Sequence, residues 1–152
     1  MANKKRILAV ASIGGHWVQL LRIARPLEQH YEVVYCSTHE KCATMVAGSE
    51  FHPMPDFSRW DAWKLVPSFF HIIGILKKVK PTAVITTGAA PGLTCLMAAK
   101  MCGIKTIWID SVANVEHLSA SGRLARKFAS RIYTQWPDLA TDGIISAGNI
   151  FG

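Results

Sequence analysis

Arg6-Ile7-Leu8-Ala9-Val10-Ala11-Ser12-Ile13-Gly14-Gly15-His16 is the stretch on which the fold reading turns. A short apolar run stops at two glycines, and a helix-like sequence follows at once. This pattern predicts a buried strand over Arg6–Ser12, a tight turn, and a helix from His16 to about Gln29 whose N-terminus faces the turn. Within that helix Val18, Leu21, Ile23, Ala24 and Leu27 recur near helical spacing, and Pro26 marks a kink or its end. The free N–H groups and dipole of such an N-terminus suit an anion or a hydroxyl-rich ligand.

Working outward, strands and helices alternate. Glu32–Ser37 reads as a second strand and Lys41–Ala47 as a short helix closed by Gly48. Phe51–Met54 reads as a third strand. Ala83–Thr87 is a fourth, ending in Gly88-Ala89-Ala90-Pro91-Gly92 before a helix from about Leu93 to Met101. This repeats the strand, glycine turn and helix of the N-terminus. Thr106–Asp110 is a fifth strand, Gly122 to about Phe128 a basic helical stretch, and Arg131–Thr134 a sixth strand. A short helix near Asp138 to Ala140 leads to Ile144-Ile145, a last strand or tail. The alternation predicts an α/β, Rossmann-like, mostly parallel sheet with helices on both faces. No linker or repeat divides the 152 residues, so one domain over 1–152 is expected.

The segment from Phe57 to Lys80 is apolar over more than one face. Pro67 suits the first turn of a helix running to about Lys78. Leu65, Phe69, Ile72, Ile73 and Leu76 form one stripe, with Phe70 and Ile75 off it. Two readings stay open: a core helix over the sheet, or a helix whose outer face, with Trp60, Trp63 and Phe70 and the flanking Lys77 and Lys78, lies in a membrane interface.

The chain is half apolar and carries a formal charge of +7, from 17 Lys and Arg against 10 Asp and Glu. That balance favours an anionic partner such as a lipid surface or a phosphate-bearing substrate. No basic stripe with interleaved aromatics is present, so nucleic acid is not expected. No stretch of about 20 apolar residues is available for a spanning helix. Cys36, Cys42, Cys95 and Cys102 form no CxxC pair and read as buried free thiols of a reducing compartment.

Chemistry is constrained by what the motifs lack. Gly14-Gly15 is not the G-x-G-x-x-G of a dinucleotide site, and no P-loop, nucleophile elbow or HExxH is present. No cofactor and no metal are therefore expected. His16 is a candidate general base or a donor to a substrate hydroxyl or phosphate, or else a helix-capping or turn histidine. Asp110, at a strand's carboxyl end, is a candidate acid–base carboxylate, or else a cap. Ser111, Asn114, Glu116 and His117 follow in a polar loop. Arg123, Arg126, Lys127 and Arg131 suit phosphates, a solvated face or anionic lipid.

Read together, Ile13-Gly14-Gly15-His16-Trp17-Val18-Gln19-Leu20-Leu21, Thr86-Thr87-Gly88-Ala89-Ala90-Pro91-Gly92, Asp110-Ser111-Val112-Ala113-Asn114, Ser119-Ala120-Ser121-Gly122-Arg123-Leu124 and Tyr133-Thr134-Gln135-Trp136-Pro137 resemble the asparagine-linked-glycosylation-fourteen family. The resemblance extends to that family's bacterial exopolysaccharide relatives of the PssD type. It implies the N-terminal, acceptor-side half of a GT-B glycosyltransferase. A partner chain would carry the domain that binds the UDP-sugar, and the pair would extend a polyprenyl-diphosphate-linked saccharide for exopolysaccharide or capsule. It implies a peripheral location on the cytoplasmic face of the inner membrane, on an anionic lipid surface. The absence of a second Rossmann-like half before Gly152 fits a split enzyme. The resemblance to the bacterial members implies no N-terminal membrane helix like that of eukaryotic relatives, so membrane contact is expected to fall to Phe57–Lys80 and the basic face. The site residues expected from residues and resemblance together are Asp110 and His16 for catalysis. Gly14, Gly15, Gly88, Ala89, Ser111, Asn114 and Arg123 are expected for substrate. Asp110 stands where many relatives have glutamate, and Asn114 where many have arginine. The rival reading is a self-contained small-molecule- or nucleotide-binding α/β module, such as a regulatory adaptor.

Overall fold

The computed structural model describes residues 4–57, 59–141 and 143–151; Met1, Ala2, Asn3, Ser58, Asp142 and Gly152 lie outside them. The strands are β1 (Arg6–Ala11), β2 (Glu32–Ser37), β3 (Phe51–Pro53), β4 (Ala83–Thr86), β5 (Lys105–Ile109), β6 (Arg131–Thr134) and β7 (Ile144–Ser146). They form one sheet in the order β3-β2-β1-β4-β5-β6-β7. Every neighbouring pair is parallel. The chain starts in the middle of the sheet, builds outward to β3, then returns to the other side of β1 with β4. The order therefore reverses between β1 and β4, and there the loops at the strands' carboxyl ends part to leave a crevice. In register, Val10 of β1 lies between Cys36 of β2 and Thr86 of β4.

β1 is buried from Ile7 to Ala11, as a central parallel strand covered on both faces must be. On one face lie α1 (Gly15–Leu27) and α2 (Lys41–Met45). Trp17, Leu20, Leu21 and Ala24 of α1 pack there against Ile7, Ala9, Ala11, Val33 and Tyr35. On the other face lie α3 (Leu65–Val79), α4 (Ala89–Met101) and α5 (Ala120–Ala125). Ile72, Ile75, Leu76 and Val79 of α3 and Leu96, Ala98 and Ala99 of α4 close over Leu8, Val10, Val84 and Trp108. Each large side chain buried there contributes about 1.5–3 kcal/mol relative to exposure.

Several boundaries differ from the sequence reading. α4 starts at Ala89, four residues before the expected Leu93, so Pro91 sits inside its first turn. Proline is tolerated there because first-turn N–H groups have no intrahelical acceptor. α5 spans Ala120–Ala125 rather than a stretch from Gly122 to Phe128, because Ser119 caps it by accepting from Gly122 N. α1 ends one residue past Pro26. The terminal hydrophobic pair forms a true strand, β7, paired in parallel with β6. Ile75, off the expected stripe of α3, is buried, whereas Phe70 is exposed. A 3₁₀ segment over Arg59–Lys64, kinked at Asp61, precedes α3. Among the described residues no helix is long and apolar enough to cross a membrane.

Cys36, Cys42 and Cys95 are buried free thiols; Cys102, expected with them, is exposed because it lies just past the end of α4. Burial pushes the Cys95 thiol up to about 12, and burial together with Cys95 raises that of Cys36. Such thiols are inert core residues.

The two faces are not equally covered at the β5–β7 end. Trp108, Ile132 and Ile144 are buried on the α4 and α5 side. Ile107, Ile109, Tyr133 and Ile145, which alternate with them, are only half-buried. A cavity of about 390 Å³ opens there, lined by Arg22, Ile23, Ile109, Tyr133, Gln135 and residues 147–150 among others.

One contact ties the fold directly to the crevice. A β-carbon added at Gly92 of α4 would lie 2.3 Å from the hydroxyl oxygen of Thr86, the fully buried last residue of β4. Gly92→Ala is therefore expected to destabilise the protein by about 3 kcal/mol. Adding Thr86→Ala should recover a large part of that loss. Thermal melts of the two single variants and the double variant check this; a Gly92→Ala protein that melts with the parent refutes the close approach.

Candidate functional site

The crevice is bounded by the N-termini of α1 and α4, which follow β1 and β4. Each helix is capped by a glycine at positive φ, Gly14 at 104° and Gly88 at 134°, and neither has a side-chain cap. Their first N–H groups are thus left to solvent or to a ligand. Ala89 also has a positive φ, 69°, which costs a residue with a β-carbon roughly 1 kcal/mol or more. Strain of this kind clusters at functional turns.

His16 and Thr87 clasp the two turns together. His16 Nδ1 lies 3.1 Å from the Thr87 carbonyl, and the Thr87 hydroxyl donates to the His16 carbonyl at 2.6 Å. A carbonyl only accepts, so Nδ1 carries the hydrogen, and Nε2 of the neutral ring keeps its lone pair. Gly88 backs onto the same imidazole: a β-carbon there would sit 3.0 Å from both Cε1 and Nδ1. The structure thus joins Gly14, Gly15, His16, Gly88 and Ala89 at one place.

The third wall is the loop after β5. Asp110 is 2% exposed, and its two oxygens receive four hydrogen bonds. Oδ1 accepts from Trp108 Nε1 at 2.9 Å and from the Ser119 hydroxyl at 2.7 Å. Oδ2 accepts from Ser119 N at 2.9 Å and from Asn114 Nδ2 at 3.3 Å. A carboxylate offers about four lone-pair sites, so these donors occupy it fully. In this arrangement Asp110 is the hub that shapes residues 110–119 and anchors the cap of α5. Gly122 is required beside it, since a β-carbon there would meet Asp110 Oδ1 at 2.6 Å. Asn114 serves the same hub. Ser111 is buried and accepts from Gln19 Nε2 at 3.0 Å. Arg123 is exposed on α5.

The expected membrane residues lie on the outer side of the 3₁₀ segment and α3. Trp60, Trp63 and Phe70 are 82%, 72% and 67% exposed, and Lys77 and Lys78 are exposed further along α3. Sequence reasoning missed Gln19, Thr87, Trp108, Ser119 and Gln135 as individuals. The Ser-x-Ser-Gly run was the available sign of Ser119, because serine is a favoured N-cap. The others are visible only as partners across the fold. Among the described residues no group of three or more His, Cys, Asp or Glu could hold a metal ion.

A parallel sheet in this order, with two glycine-capped helices meeting at its reversal, defines a Rossmann-like half of the kind found in GT-B glycosyltransferases. MurG from Acinetobacter baumannii superimposes with a TM-score of 0.80 at 16% identity, over 95% of this chain and 46% of that one. The UDP-GlcNAc 2-epimerase of Neisseria meningitidis, solved bound to UDP-GlcNAc, gives 0.69 at 16% identity, over 95% and 47%. The family model described as oligosaccharide biosynthesis protein Alg14 like matches residues 61–147, more than half of the chain. The chain belongs to that family. A relative in Schizosaccharomyces pombe, UDP-N-acetylglucosamine transferase subunit alg14, is 36% identical over 52% of this chain and 40% of its own length. The mouse protein of the corresponding name is 21% identical over 88% of this chain and 76% of its own. The chain spans less than half the length of the fission-yeast relative and of both solved structures.

Proposed function

We propose that this chain is the acceptor-binding, membrane-docking subunit of a two-chain glycosyltransferase that extends a polyprenyl-diphosphate-linked saccharide in exopolysaccharide or capsule synthesis. The observation that carries the reading is the His16–Thr87 clasp between two helix N-termini that have no side-chain cap. Those N-termini suit the diphosphate of the acceptor, through free N–H groups and aligned dipoles. Nε2 of His16 is the basic atom at the lip. The acceptor hydroxyl attacks the sugar's anomeric carbon, its proton passes to Nε2, and the bond to the nucleoside diphosphate breaks. Asp110, saturated by its four donors, keeps the β5 loop in shape and does not carry the proton. The names of the Alg14 relatives, as transferase subunits, support assignment to one half of an enzyme.

The partner is a chain bearing the UDP-sugar half, and the half-covered face of β5–β7 offers it an apolar surface, since parallel sheets are ordinarily covered on both sides. The outer stripe of α3 seats the subunit on the cytoplasmic face of the inner membrane.

Reconstitution with a candidate chain bearing the UDP-sugar half, on vesicles holding polyprenyl-diphosphate-linked acceptor with UDP-sugars, tests the reading. The pair should transfer sugar and neither chain alone should. His16→Ala should lower kcat by about 10²–10⁴-fold while the two chains still co-purify. Full activity of the partner alone overturns the subunit role. Tight UDP binding by this chain without vesicle association favours a self-contained nucleotide-binding module instead.

A further inference from the structure

We propose that Gln19 is the positioning residue that holds the β5 loop in register with the His16 end of α1; the inference deepens the acceptor-site reading above and rests on it. Gln19 follows His16 by three residues, about one helical turn along α1. It is a polar residue of a helix face that is otherwise packed with Trp17, Leu20, Leu21 and Ala24, and it is buried.

Its carboxamide meets three partners from two other segments. Nε2 donates to the Ser111 hydroxyl at 3.0 Å. Oε1 accepts from Val112 N at 3.0 Å and from Gln135 Nε2 at 2.8 Å. A flipped amide would set its NH₂ against two donors, so the partners dictate the orientation. Gln135, itself buried just past β6, donates also to the Asp110 carbonyl at 3.0 Å and accepts from Ile150 N at 3.0 Å. Trp136 Nε1 donates to the Val112 carbonyl at 2.7 Å. The helix that bears His16, the loop that Asp110 shapes, the end of β6 and the segment at Ile150 therefore meet at one buried pair of glutamines.

The chemistry needs an amide at this position. An apolar residue would satisfy burial but leave the Val112 N–H and one Gln135 N–H without an acceptor. Asp110 organises its loop internally, yet among the hydrogen bonds described here it makes none to α1. Gln19 supplies that tie, and so fixes the distance between His16 and the wall opposite it. A displacement of about 1 Å between such walls is enough to cost about 100-fold in rate.

The test uses Gln19→Met, which keeps length and apolar bulk, and Gln19→Glu, which keeps the oxygen that accepts from Val112 N and Gln135 Nε2 and can accept from the Ser111 hydroxyl in place of donating to it. In Gln19→Met the amides of Val112 and Ile150 should exchange at least about tenfold faster than in the parent, with β1 and β4 amides unchanged. In the reconstituted pair kcat should fall about 100-fold while KM for the UDP-sugar holds. Gln19→Glu should recover most of both losses. Unchanged exchange overturns the proposal. Faster exchange with full kcat also overturns it, since the tie would then be structural only. A parent pair that transfers no sugar overturns the function proposed above and with it the catalytic part of this proposal, while the exchange measurement still decides whether Gln19 ties the β5 loop to α1.

Discussion

Replacing Asp110 with alanine should lower the stability of the protein by about 3–5 kcal/mol, among the largest losses any single substitution here would give. Four donors converge on that carboxylate, and one of them, Trp108 Nε1, belongs to a side chain with no exposed surface. Truncation leaves these donors without their acceptor in a space that excludes water, and each orphaned buried donor costs about 1–3 kcal/mol. At this chain length the melting temperature should drop by roughly 10–15 °C. Asp110→Asn is the sharper variant. Whichever way the amide is turned, its NH₂ faces either Trp108 Nε1 or Ser119 N, and neither can accept. The loss should then be about 1–3 kcal/mol, read by urea or thermal unfolding. An Asp110→Asn protein that melts with the parent but transfers no sugar would reverse the assignment and make Asp110 the base.

Binding to anionic vesicles should fall by roughly 100-fold when Trp60, Trp63 and Phe70 are all changed to serine. Trp63, Val66 and Phe70, with Lys77 further on, recur at three-, four- and seven-residue spacing and share the outward side of the 3₁₀ segment and α3. Val66 is 58% exposed, so the stripe is continuous. The opposite side of the same helix is committed to the core through Ile72, Ile75, Leu76 and Val79. If each aromatic contributes about 1 kcal/mol in the interface, three give about two decades in affinity. The melting temperature should hardly move, because the three side chains are mostly solvent-exposed in the protein alone. Lys77 and Lys78 add an attraction of about 1 kcal/mol each that salt should screen. Vesicle co-sedimentation across a salt series measures both parts. Undiminished binding of the triple variant would refute a lipid role for the stripe, and loss of the partner chain instead would make it a protein interface.

The aromatic stripe also shows where sequence reading stopped. Apolar residues on more than one face of Phe57–Lys80 were plain in the chain, but periodicity could not say which side met the sheet. Phe70 and Ile75 looked alike as departures from the stripe, and packing buried one and exposed the other. The glycine turns were more legible. An apolar run stopped by Gly14-Gly15, and again by Gly88, identifies two strand-to-helix corners because each corner requires a positive φ that glycine tolerates best. The start of α4 was less legible: Pro91-Gly92 fits either the corner itself or a first helical turn, and only the structure shows that the helix begins at Ala89 with Pro91 inside that turn.

By itself, then, the sequence determined the alternation of strands and helices, their parallel arrangement and the membership of β1 and β4 as corner-bearing strands. These are local properties: the spacing of apolar residues and the punctuation by glycine. Tertiary structure alone decided which corners face each other. His16 meets Thr87 across 71 positions of chain, Gln19 meets Ser111 across 92 and Gln135 across 116. It also decided that Asp110 is enclosed by donors and that the β5–β7 face is only half-covered. Contacts at such separations depend on strand order, and strand order follows from how the faces of the whole sheet are buried, which no window of residues contains.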